Sequence, residues 1–326
     1  MKLPFVSVVV CTYNRRRMFE ECLESLLNQS YPRDKYEIVV VDSSDDYSES
    51  LVKKYVETAM VRGIRLKYIY QKPSGIAAAR NAGVNNAEGE IVCFIDDDCI
   101  ADENWILNLI KRFNDGEKIG GVGGTILSYS LDTLTEKYME KYFEMDVTTS
   151  CKKLNFIWTS NAAYRRDVIL AAGGFDEHLK THEDRDLSIR VRLMGYELAY
   201  APHAIVYHRH RTTLSGLMKQ QYAGAVGFMA LNKKYPKHFQ PQYYIMSHLV
   251  KVALFPLNIA AAMLKDNKRQ HFVEQLLNTI LLIVDILGML RGLFNYYPGE
   301  KIYDEIKFLP RKSLSSVIRS RLKLFL

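Results

Sequence analysis

Three consecutive carboxylates, Asp96, Asp97 and Asp98, follow an almost continuous apolar run over residues 91–95. Such a run is typical of a strand buried on both faces of a parallel sheet. Ligands of open α/β sheets lie beyond the carboxyl ends of the strands, and adjacent carboxylates repel one another unless they share a cation. Hard oxygen ligands suit Mg²⁺ or Mn²⁺, which bridge carboxylates to phosphate oxygens. The stretch therefore indicates either a metal–diphosphate site or an acidic turn that caps the next helix.

Two later groups of polar side chains could join such chemistry. Glu183, Asp184 and Asp186 open a segment with helical spacing of its apolar residues. The helix dipole favours acids there, which explains all three without catalysis. His208 and His210 lie in a basic stretch that is a solvated loop, a diphosphate contact or the source of a third metal ligand, for which His208 is preferred to His210.

The elements that must position these residues alternate between strand and helix. The apolar and β-branched runs predict strands, and the helical spacings predict helices, with a repeat near thirty residues. The predicted strands are residues 5–11, 36–41, 64–70 and 91–95, and the predicted helices are residues 18–27, 48–62 and 75–87. This order predicts a parallel sheet with right-handed crossovers. The polar clusters at residues 12–15, 42–46 and 96–98 should therefore converge on one rim.

The turn after the first strand excludes two common nucleotide-binding classes. A nicotinamide dehydrogenase would carry Gly-x-Gly-x-x-Gly there, and a P-loop protein would carry a glycine-rich phosphate loop. The chain has Thr12-Tyr13-Asn14-Arg15 instead. A nucleotide would therefore be bound through side chains and a metal.

Composition sets broad limits on the protein. The 326 residues suffice for one large domain or two ordinary ones, and a hydrophobic fraction of 48% is globular. The net charge of +7 is mild, and we expect no nucleic-acid partner. The five cysteines lack Cys-x-x-Cys spacing, which favours buried free thiols in a reducing compartment. We interpret the short apolar stretch at the N-terminus as a strand rather than a secretory signal.

The remaining segments before residue 236 are more irregular. Residues 104–113 and 214–235 have helical patterns, and 204–207 is predicted to be a short strand. The glycine run at residues 120–124 favours a tight bend over close approach of a substrate. The polar stretch at residues 146–153 is a candidate mobile loop over the site.

Two apolar segments, residues 245–264 and 272–294, dominate the C-terminal part. Each has the length of a transmembrane helix, but Asp285 in the second would cost about 2.5–3.5 kcal/mol at the bilayer centre. If both segments spanned, their basic connection (265–271) would lie outside, against the positive-inside rule. We therefore expect helices that lie in the membrane interface, with packing on the catalytic domain or pairing in a homodimer as the alternatives.

Six sequence blocks, in order, resemble family 2 glycosyltransferases of the GT-A fold over about residues 5–210. The blocks run from Val8 to Arg15, Val40 to Asp46, Gly75 to Gly83, Phe94 to Asp98, Gly173 to Glu177 and His182 to Leu187. The resemblance implies an α/β GT-A catalytic domain over residues 1–235. We assign residues 236–326 to a helical, membrane-associated region. The resemblance also implies transfer of a sugar from a nucleoside diphosphate donor, a UDP- or GDP-sugar, usually with inversion and with Mn²⁺ or Mg²⁺.

The resemblance also implies roles for individual residues. Those implied to bind the nucleotide part are Tyr13 and Asp42 at the base, Thr12 and Asn14 in the same pocket, and Arg80 near the diphosphate and ribose. Asp96 and Asp98 match the Asp-x-Asp pair, with Asp98 as the main metal ligand, and we include Asp97 among the donor-binding residues. Asp184 matches the general base. A carboxylate must take the acceptor's proton in any case, and one such base suffices for inversion.

One departure from the family narrows the reaction. Processive members carry Gln-x-x-Arg-Trp where this chain has Gln220-Gln221-Tyr222-Ala223-Gly224. We therefore expect transfer of a single sugar, with a lipid-linked glycan or a polyprenyl phosphate as acceptor at the cytoplasmic face of the membrane. The alternatives are a sugar nucleotidyltransferase, which would need a glycine-rich phosphate loop, and an inactive scaffold, which the intact acids argue against.

Overall fold

A computed structural model describes most of the chain. The described residues are 3–45, 49–141, 156–236, 241–264, 266–295, 297–299 and 302. The predicted mobile loop at 146–153, Asp46, Cys151, Lys265 and the basic tail that starts at Lys301 lie outside them. The division of the chain at residue 235 stays a prediction.

The first half forms the predicted parallel sheet. Strands β1 (Val6–Thr12), β2 (Tyr36–Asp42), β3 (Arg65–Tyr70) and β4 (Ile91–Asp96) are parallel, in the order β3-β2-β1-β4. The buried strands are rich in β-branched residues, which pack well on both faces of a pleated sheet. Their carboxyl ends meet at one rim, as predicted.

The second half extends this sheet with mixed polarity. Strand β7 (Asn161–Arg165) runs antiparallel to β4 and to β6 (Ile119–Ser128), and β8 (Glu197–His208) runs parallel to β6. The short β5 (Cys99–Ala101) pairs with the end of β8 at the edge. The predicted strand at 204–207 was too short, because β8 starts at Glu197. The eight-stranded sheet thus carries His208 to the rim that holds the acids.

The glycine run at residues 120–124 is not the tight bend that we predicted. It lies inside β6, and several of its positions have no space for a side chain. A Cβ at Gly121 would lie 2.5 Å from the ring of Tyr164, and one at Gly124 would lie 2.3 Å from the carbonyl oxygen of Ala204. The glycines therefore allow close packing within the sheet, because atoms of neighbouring residues occupy the space that a side chain at these positions would need.

Helices cover both faces of the sheet. Their bounds are α1 (Arg16–Leu27), α2 (Glu49–Val61), α3 (Ile76–Asn86), α4 (Trp105–Phe113), α5 (Leu134–Met139), α6 (Arg166–Ala171) and α7 (Glu183–Leu193). One apolar core joins the sheet to α1, α2 and α4, and a second joins it to α3, α6 and α7. The four cysteines in the described part are free thiols, and three of them are buried, in accord with the prediction.

The C-terminal part is helical. Helix α8 (Leu214–Lys234) packs along α11 (Lys268–Phe294), and α9 (Pro241–Ala253) and α10 (Phe255–Met263) lie between them in sequence. The first apolar segment is thus not one helix. It bends by 46° between α9 and α10, because Pro256 in the first turn of α10 cannot continue an α-helix from the preceding turn. By length and composition, α11 could cross a membrane alone, and α9 with α10 could form one broken span.

Candidate active site

The three consecutive carboxylates lie at the end of β4 and in the turn to β5. Asp96 is partly exposed, whereas Asp97 and Asp98 are buried. The guanidinium of Arg15 donates to both, at 3.0 Å from Asp97 Oδ1 and 2.8 Å from Asp98 Oδ2. Burial raises the pKa of Asp97 to about 6, and Arg15 opposes that rise. The acids do not cap α4, whose N-cap residue is Asn104, so the capping explanation of this stretch is wrong.

His208 faces the same carboxylates from the end of β8. Its Nε2 lies 3.4 Å from Asp98 Oδ1, and its Nδ1 lies 3.2 Å from Nδ1 of His210. Burial lowers the pKa of His210 to about 4, so this imidazole is neutral near pH 7. Asp98, Cys99 and His208 offer ligand atoms within 4.8 Å of one another. Burial raises the pKa of the Cys99 thiol well above its usual range, so the oxygen and nitrogen donors are the ones that fit Mn²⁺ or Mg²⁺.

The turn after β1 faces the turn after β2. The phenol of Tyr13 and the amide of Asn14 both donate to Asp45 Oδ2 at 3.1 Å, and Asp45 N donates to Asn14 Oδ1 at 3.0 Å. Asn14 adopts a left-handed φ of 53°, which asparagine tolerates better than most residues. Tyr13 is half exposed, whereas Thr12 is buried and its hydroxyl donates to Asp97 Oδ2 at 2.9 Å. This corner therefore joins an open aromatic face to the carboxylate cluster.

Asp42 ends β2 and lies one strand away from Thr12. Its carboxylate accepts from Ser44 N at 2.8 Å and from the phenol of Tyr68 at 2.6 Å. The side chain is almost fully buried. These contacts fix the orientation of Asp42 beside Thr12, at the same rim of the sheet.

Arg80 joins the tip of β4 to the start of α7. Its Nη2 donates to Asp96 Oδ1 at 2.9 Å, and its Nη1 pairs with Glu183 Oε1. The guanidinium is buried and lies 5.8 Å from the ring centre of Phe175. Arg80 lies in α3, so one cation connects a helix, a strand tip and a second helix. This ion pair brings the β4 acids and the α7 acids to one site.

Asp184 lies beside that ion pair in the first turn of α7. Burial and, to a lesser degree, the adjacent Glu183 raise the pKa of its carboxyl to about 7, and Arg80 opposes the rise. Asp184 Oδ1 accepts from Arg185 N at 2.7 Å. A carboxyl with a pKa near neutrality is suited to taking a proton from an acceptor hydroxyl. The helix dipole still favours acids at this position.

A buried polar network holds α7 in place. Asp186 accepts from Tyr235 Oη at 2.7 Å and from Arg190 Nη2 at 2.6 Å, and it lies 2.7 Å from Lys234 Nζ. Lys234 also pairs with Asp176 at 2.6 Å. Asp186, unlike Asp184, is thus bound by Arg190 of α7, by Lys234 of α8 and by Tyr235, the C-cap residue of α8.

The sequence reasoning missed three residues of this site. Arg15 lies in the polar turn after β1, and its charge beside three predicted carboxylates was a signal that we did not use. Glu183 is adjacent to Asp184, and only the ion pair with Arg80 distinguishes the two acids. Tyr68 lies inside β3, where nothing in the local sequence indicates that its hydroxyl reaches Asp42.

Comparisons with known proteins agree with this architecture. The model of Glycosyl transferase family 2 matches residues 7–171, and that of Glycosyl transferase family group 2 matches residues 91–297. The chain is 31% identical over 222 residues to glycosyltransferase AglE of Haloferax volcanii, covering 68% of this chain and 71% of that protein. It is 26% identical over 252 residues to a glucosyl-dolichyl phosphate glucuronosyltransferase of the same organism, covering 71% of this chain and 79% of that one.

A solved structure supports the fold independently. A mannosyltransferase from Pyrobaculum calidifontis, solved with GDP-Man and Mn²⁺, matches with a TM-score of 0.66 and 22% identity, covering 89% of this chain and 88% of that one. At this identity the likeness shows the fold. The family matches cover the strands and turns that carry the acids described above. The chain therefore belongs to glycosyl transferase family 2 and is a glycosyltransferase with a GT-A-type catalytic fold.

Proposed function

We infer that this glycosyltransferase is metal-dependent and inverting, and that it moves one sugar from a nucleoside diphosphate sugar to a lipid-linked acceptor. The observation that carries the proposal is the Asp96–Arg80–Glu183 ion pair. Because Arg80 contacts both Asp96 and Glu183, the candidate metal ligands at the end of β4 and the candidate base Asp184 lie in the same site. The proposal requires these two functions next to each other.

The donor side of the site supports a nucleoside diphosphate. Asp98 and His208, with Asp96 at the entrance, would hold a divalent ion, which stabilises the negative charge of the departing diphosphate when bound. Tyr13, with half of its surface exposed, offers a face for the base, and Asn14 is fixed beside it. The GDP-Man and Mn²⁺ bound to the mannosyltransferase noted above are consistent with this arrangement.

On the acceptor side, the residues support a single general base and a single displacement at the anomeric carbon. Asp184 would take the proton of the acceptor hydroxyl as that oxygen attacks the anomeric carbon. Among the described carboxyls of this site, Asp184 is the one that is buried, has a raised pKa and makes no ion pair. A single base on the face opposite the leaving group gives inversion.

The acceptor class is inferred from relatives and from the C-terminal helices. Two relatives are named as enzymes that act on dolichyl phosphate-linked sugars, one from Haloferax volcanii and one from Methanococcus voltae. Helix α11 is long and apolar, and the row Phe272, Leu276, Ile283 and Leu287 is exposed along it. Association with the cytoplasmic face of a membrane would bring the site to such a lipid.

A screen of nucleotide sugars tests the proposal. The purified full chain is incubated with UDP- and GDP-sugars, with and without Mn²⁺, and release of the nucleoside diphosphate is measured. We expect metal-dependent hydrolysis of one donor even without an acceptor, because water can replace the acceptor slowly. Hydrolysis that is equal in Mn²⁺ and in a chelator would contradict the metal-dependent mechanism. The anomeric configuration of the released sugar, followed by NMR, tests inversion.

A further inference from the structure

A cavity of about 760 Å³ lies between α5 and the first turns of α11, outside the site described above. Its walls come from two segments far apart in sequence: Lys137 in α5 and Lys141 just after it, and Arg269 and Glu274 in α11. A cavity of this volume is within the range of small-ligand sites. It lies where the catalytic fold meets the apolar C-terminal helices.

The rim of this cavity is positively charged. Lys137, Lys141 and Arg269 face one carboxylate, Glu274, which pairs with Lys141 at 2.6 Å. Neither Lys137 nor Arg269 forms an ion pair with a carboxylate in the part of the chain that the structure describes. Three cations against one acid leave two positive charges unbalanced. The rim therefore suits an anion with a charge of one to two, such as a phosphate group.

The floor of the cavity is apolar. This apolar part of the lining consists of Leu134 and Tyr138 of α5 and Val273 and Leu277 of α11. A free phosphate would leave this floor in contact with water, whereas a phosphate joined to a hydrocarbon chain would cover it. The exposed apolar row that begins at Phe272 runs along α11 from the same end of the helix. The cavity thus matches the head and the first carbons of a phosphate-headed lipid.

The position of the cavity relative to the catalytic site restricts the lipid. The opposite side of α5 carries Glu136 and Glu140, whose carboxylates accept from Ser130 and Ser128 near the end of β6. Ser128 is paired with His208 in the register of β6 and β8, so this side of α5 faces the histidines. The cavity is therefore separated from the histidine cluster by the width of α5, about 10 Å. A phosphate bound there is too distant from the candidate metal ligand His208 to be the attacking group, so the attacking hydroxyl must belong to a glycan attached to it.

We propose that this cavity binds the phosphate of a lipid-linked sugar acceptor and that the attacking hydroxyl belongs to the attached glycan. This inference rests on the proposed function and adds the place and the chemistry of acceptor binding. It also excludes the bare polyprenyl phosphate as the sugar-accepting group. Lys137 and Arg269 are the recognition residues for the phosphate.

Binding of short-chain probes to the full chain in neutral detergent tests the cavity directly, by calorimetry. Farnesyl phosphate has the phosphate and the chain, farnesol has only the chain, and inorganic phosphate has only the anion. We expect farnesyl phosphate to bind at least tenfold more tightly than either of the other two. Dihexanoyl phosphatidylglycerol distinguishes a bilayer lipid from an acceptor: affinity equal to that of farnesyl phosphate would contradict the acceptor assignment.

The double substitution of Lys137→Gln with Arg269→Gln locates the binding. A basic side chain near an anionic lipid contributes about fivefold in affinity, so the pair should weaken farnesyl phosphate about 25-fold. The matched control, Lys111→Gln with Lys118→Gln, removes the same charge on and after α4 and should leave the affinity unchanged. Unaltered affinity in the first variant would overturn the proposal.

Activity separates this inference from the proposed function. Metal-dependent donor hydrolysis should be equal in the wild type and in the Lys137 and Arg269 variant, because neither residue lies in the donor site. With the intact nucleotide sugar that the screen identifies as the donor, we expect transfer to a glucosyl farnesyl phosphate and none to farnesyl phosphate. Transfer to farnesyl phosphate would contradict the inference while leaving the proposed function intact.

Discussion

Glu183 and Asp184 are adjacent acids with different partners. Glu183 pairs with the buried guanidinium of Arg80, whereas Asp184 accepts only from the backbone amide of Arg185 among the hydrogen bonds of the described residues. Burial raises the pKa of the Asp184 carboxyl, which has no ion-pair partner, to about 7. This difference makes Asp184 the base candidate and Glu183 a residue that positions Arg80.

Asp184→Asn tests the base. The amide keeps the size of the side chain but cannot take a proton, so turnover should fall by about 10²–10⁴-fold. Donor affinity should stay within a few-fold, because the hydrogen bond that Asp184 accepts within the described residues comes from Arg185 N and not from the turn that holds Tyr13 and Asn14. Single-turnover rates and donor titrations separate the two effects. Loss of donor binding with preserved turnover of bound donor would favour a purely structural role at the start of α7.

The pH dependence of turnover follows from the raised pKa of Asp184. A base must be deprotonated, and its pKa of about 7 means that the deprotonated fraction falls tenfold per pH unit below that value. We therefore expect kcat/KM to rise with pH and to level off above about 7. The residual activity of Asp184→Asn should lose this limb. A limb that persists unchanged in the variant would assign the titration to another group.

The candidate metal ligands give a second residue-level prediction. Asp98→Ala should abolish Mn²⁺-dependent donor binding, and Asp96→Ala should weaken it strongly. Asp115→Ala, which removes an exposed acid after α4, is the matched control and should bind the donor normally. All three should fold, because acids at a strand tip and a loop add little to the apolar core. Normal Mn²⁺-dependent binding by Asp98→Ala would refute the metal site.

At the scale of elements, α7 is held by the helix that follows β8. Asp186 is buried with Lys234, Arg190 and Tyr235, and Lys234 also pairs with Asp176 in the turn before α7. Asp184 lies two residues from Asp186, so the position of the base depends on α8. A buried charge that loses its partner costs far more than an exposed one.

Lys234→Met tests this dependence. The substitution keeps the packing volume but removes a cation from the buried Asp186 and the partly buried Asp176, and we expect a loss of about 3 kcal/mol in the free energy of unfolding. Turnover should fall while the Mn²⁺-dependent affinity for the donor is kept. Lys219→Met, on an exposed face of the same helix, is the control and should change neither. Urea unfolding and donor titration give the two readouts, and unchanged stability would show that the network contributes little.

At the scale of the whole molecule, the C-terminal helices combine close packing with an exposed apolar surface. Gly288 and Gly292 of α11 face α8 at positions where a Cβ would lie 2.7 Å from Ala225 Cβ and 2.6 Å from Met229 Cβ. Asp285, which we expected to oppose insertion, accepts from Gln221 at 2.8 Å. Its charge therefore faces the other helices rather than the exposed row, and the penalty that we assigned to it applies to a lone helix only.

Labelling of the 265–271 connection tests the interfacial arrangement. A cysteine placed at Lys268 should react with an impermeant maleimide only after cells are opened, because interfacial helices keep the connection on the cytoplasmic side. A cysteine at Lys35, on the catalytic domain, should behave identically. Labelling of position 268 in intact cells would show that the helices span. Complete recovery in the soluble fraction without salt or detergent would contradict membrane association altogether.

The sequence by itself determined the parallel half of the sheet and the rim on which its polar clusters meet. Continuous apolar runs and helical patterns are local, and right-handed crossovers follow from chain handedness, so the positions of Thr12, Asp42 and Asp96 at one rim needed no structure. The order of six motif blocks likewise identified the family. These features depend on neighbours along the chain or on rules that every α/β sheet obeys.

Only the tertiary structure decided which distant groups share a partner. The link from Arg80 to both Asp96 and Glu183, and the link from Asp98 to His208, join residues separated by up to 110 positions in the chain. The glycines of β6 were misread because the side chains that require them, such as Tyr164, come from another strand. Such pairings depend on register and packing between elements, and a local pattern carries no record of the partner across the sheet.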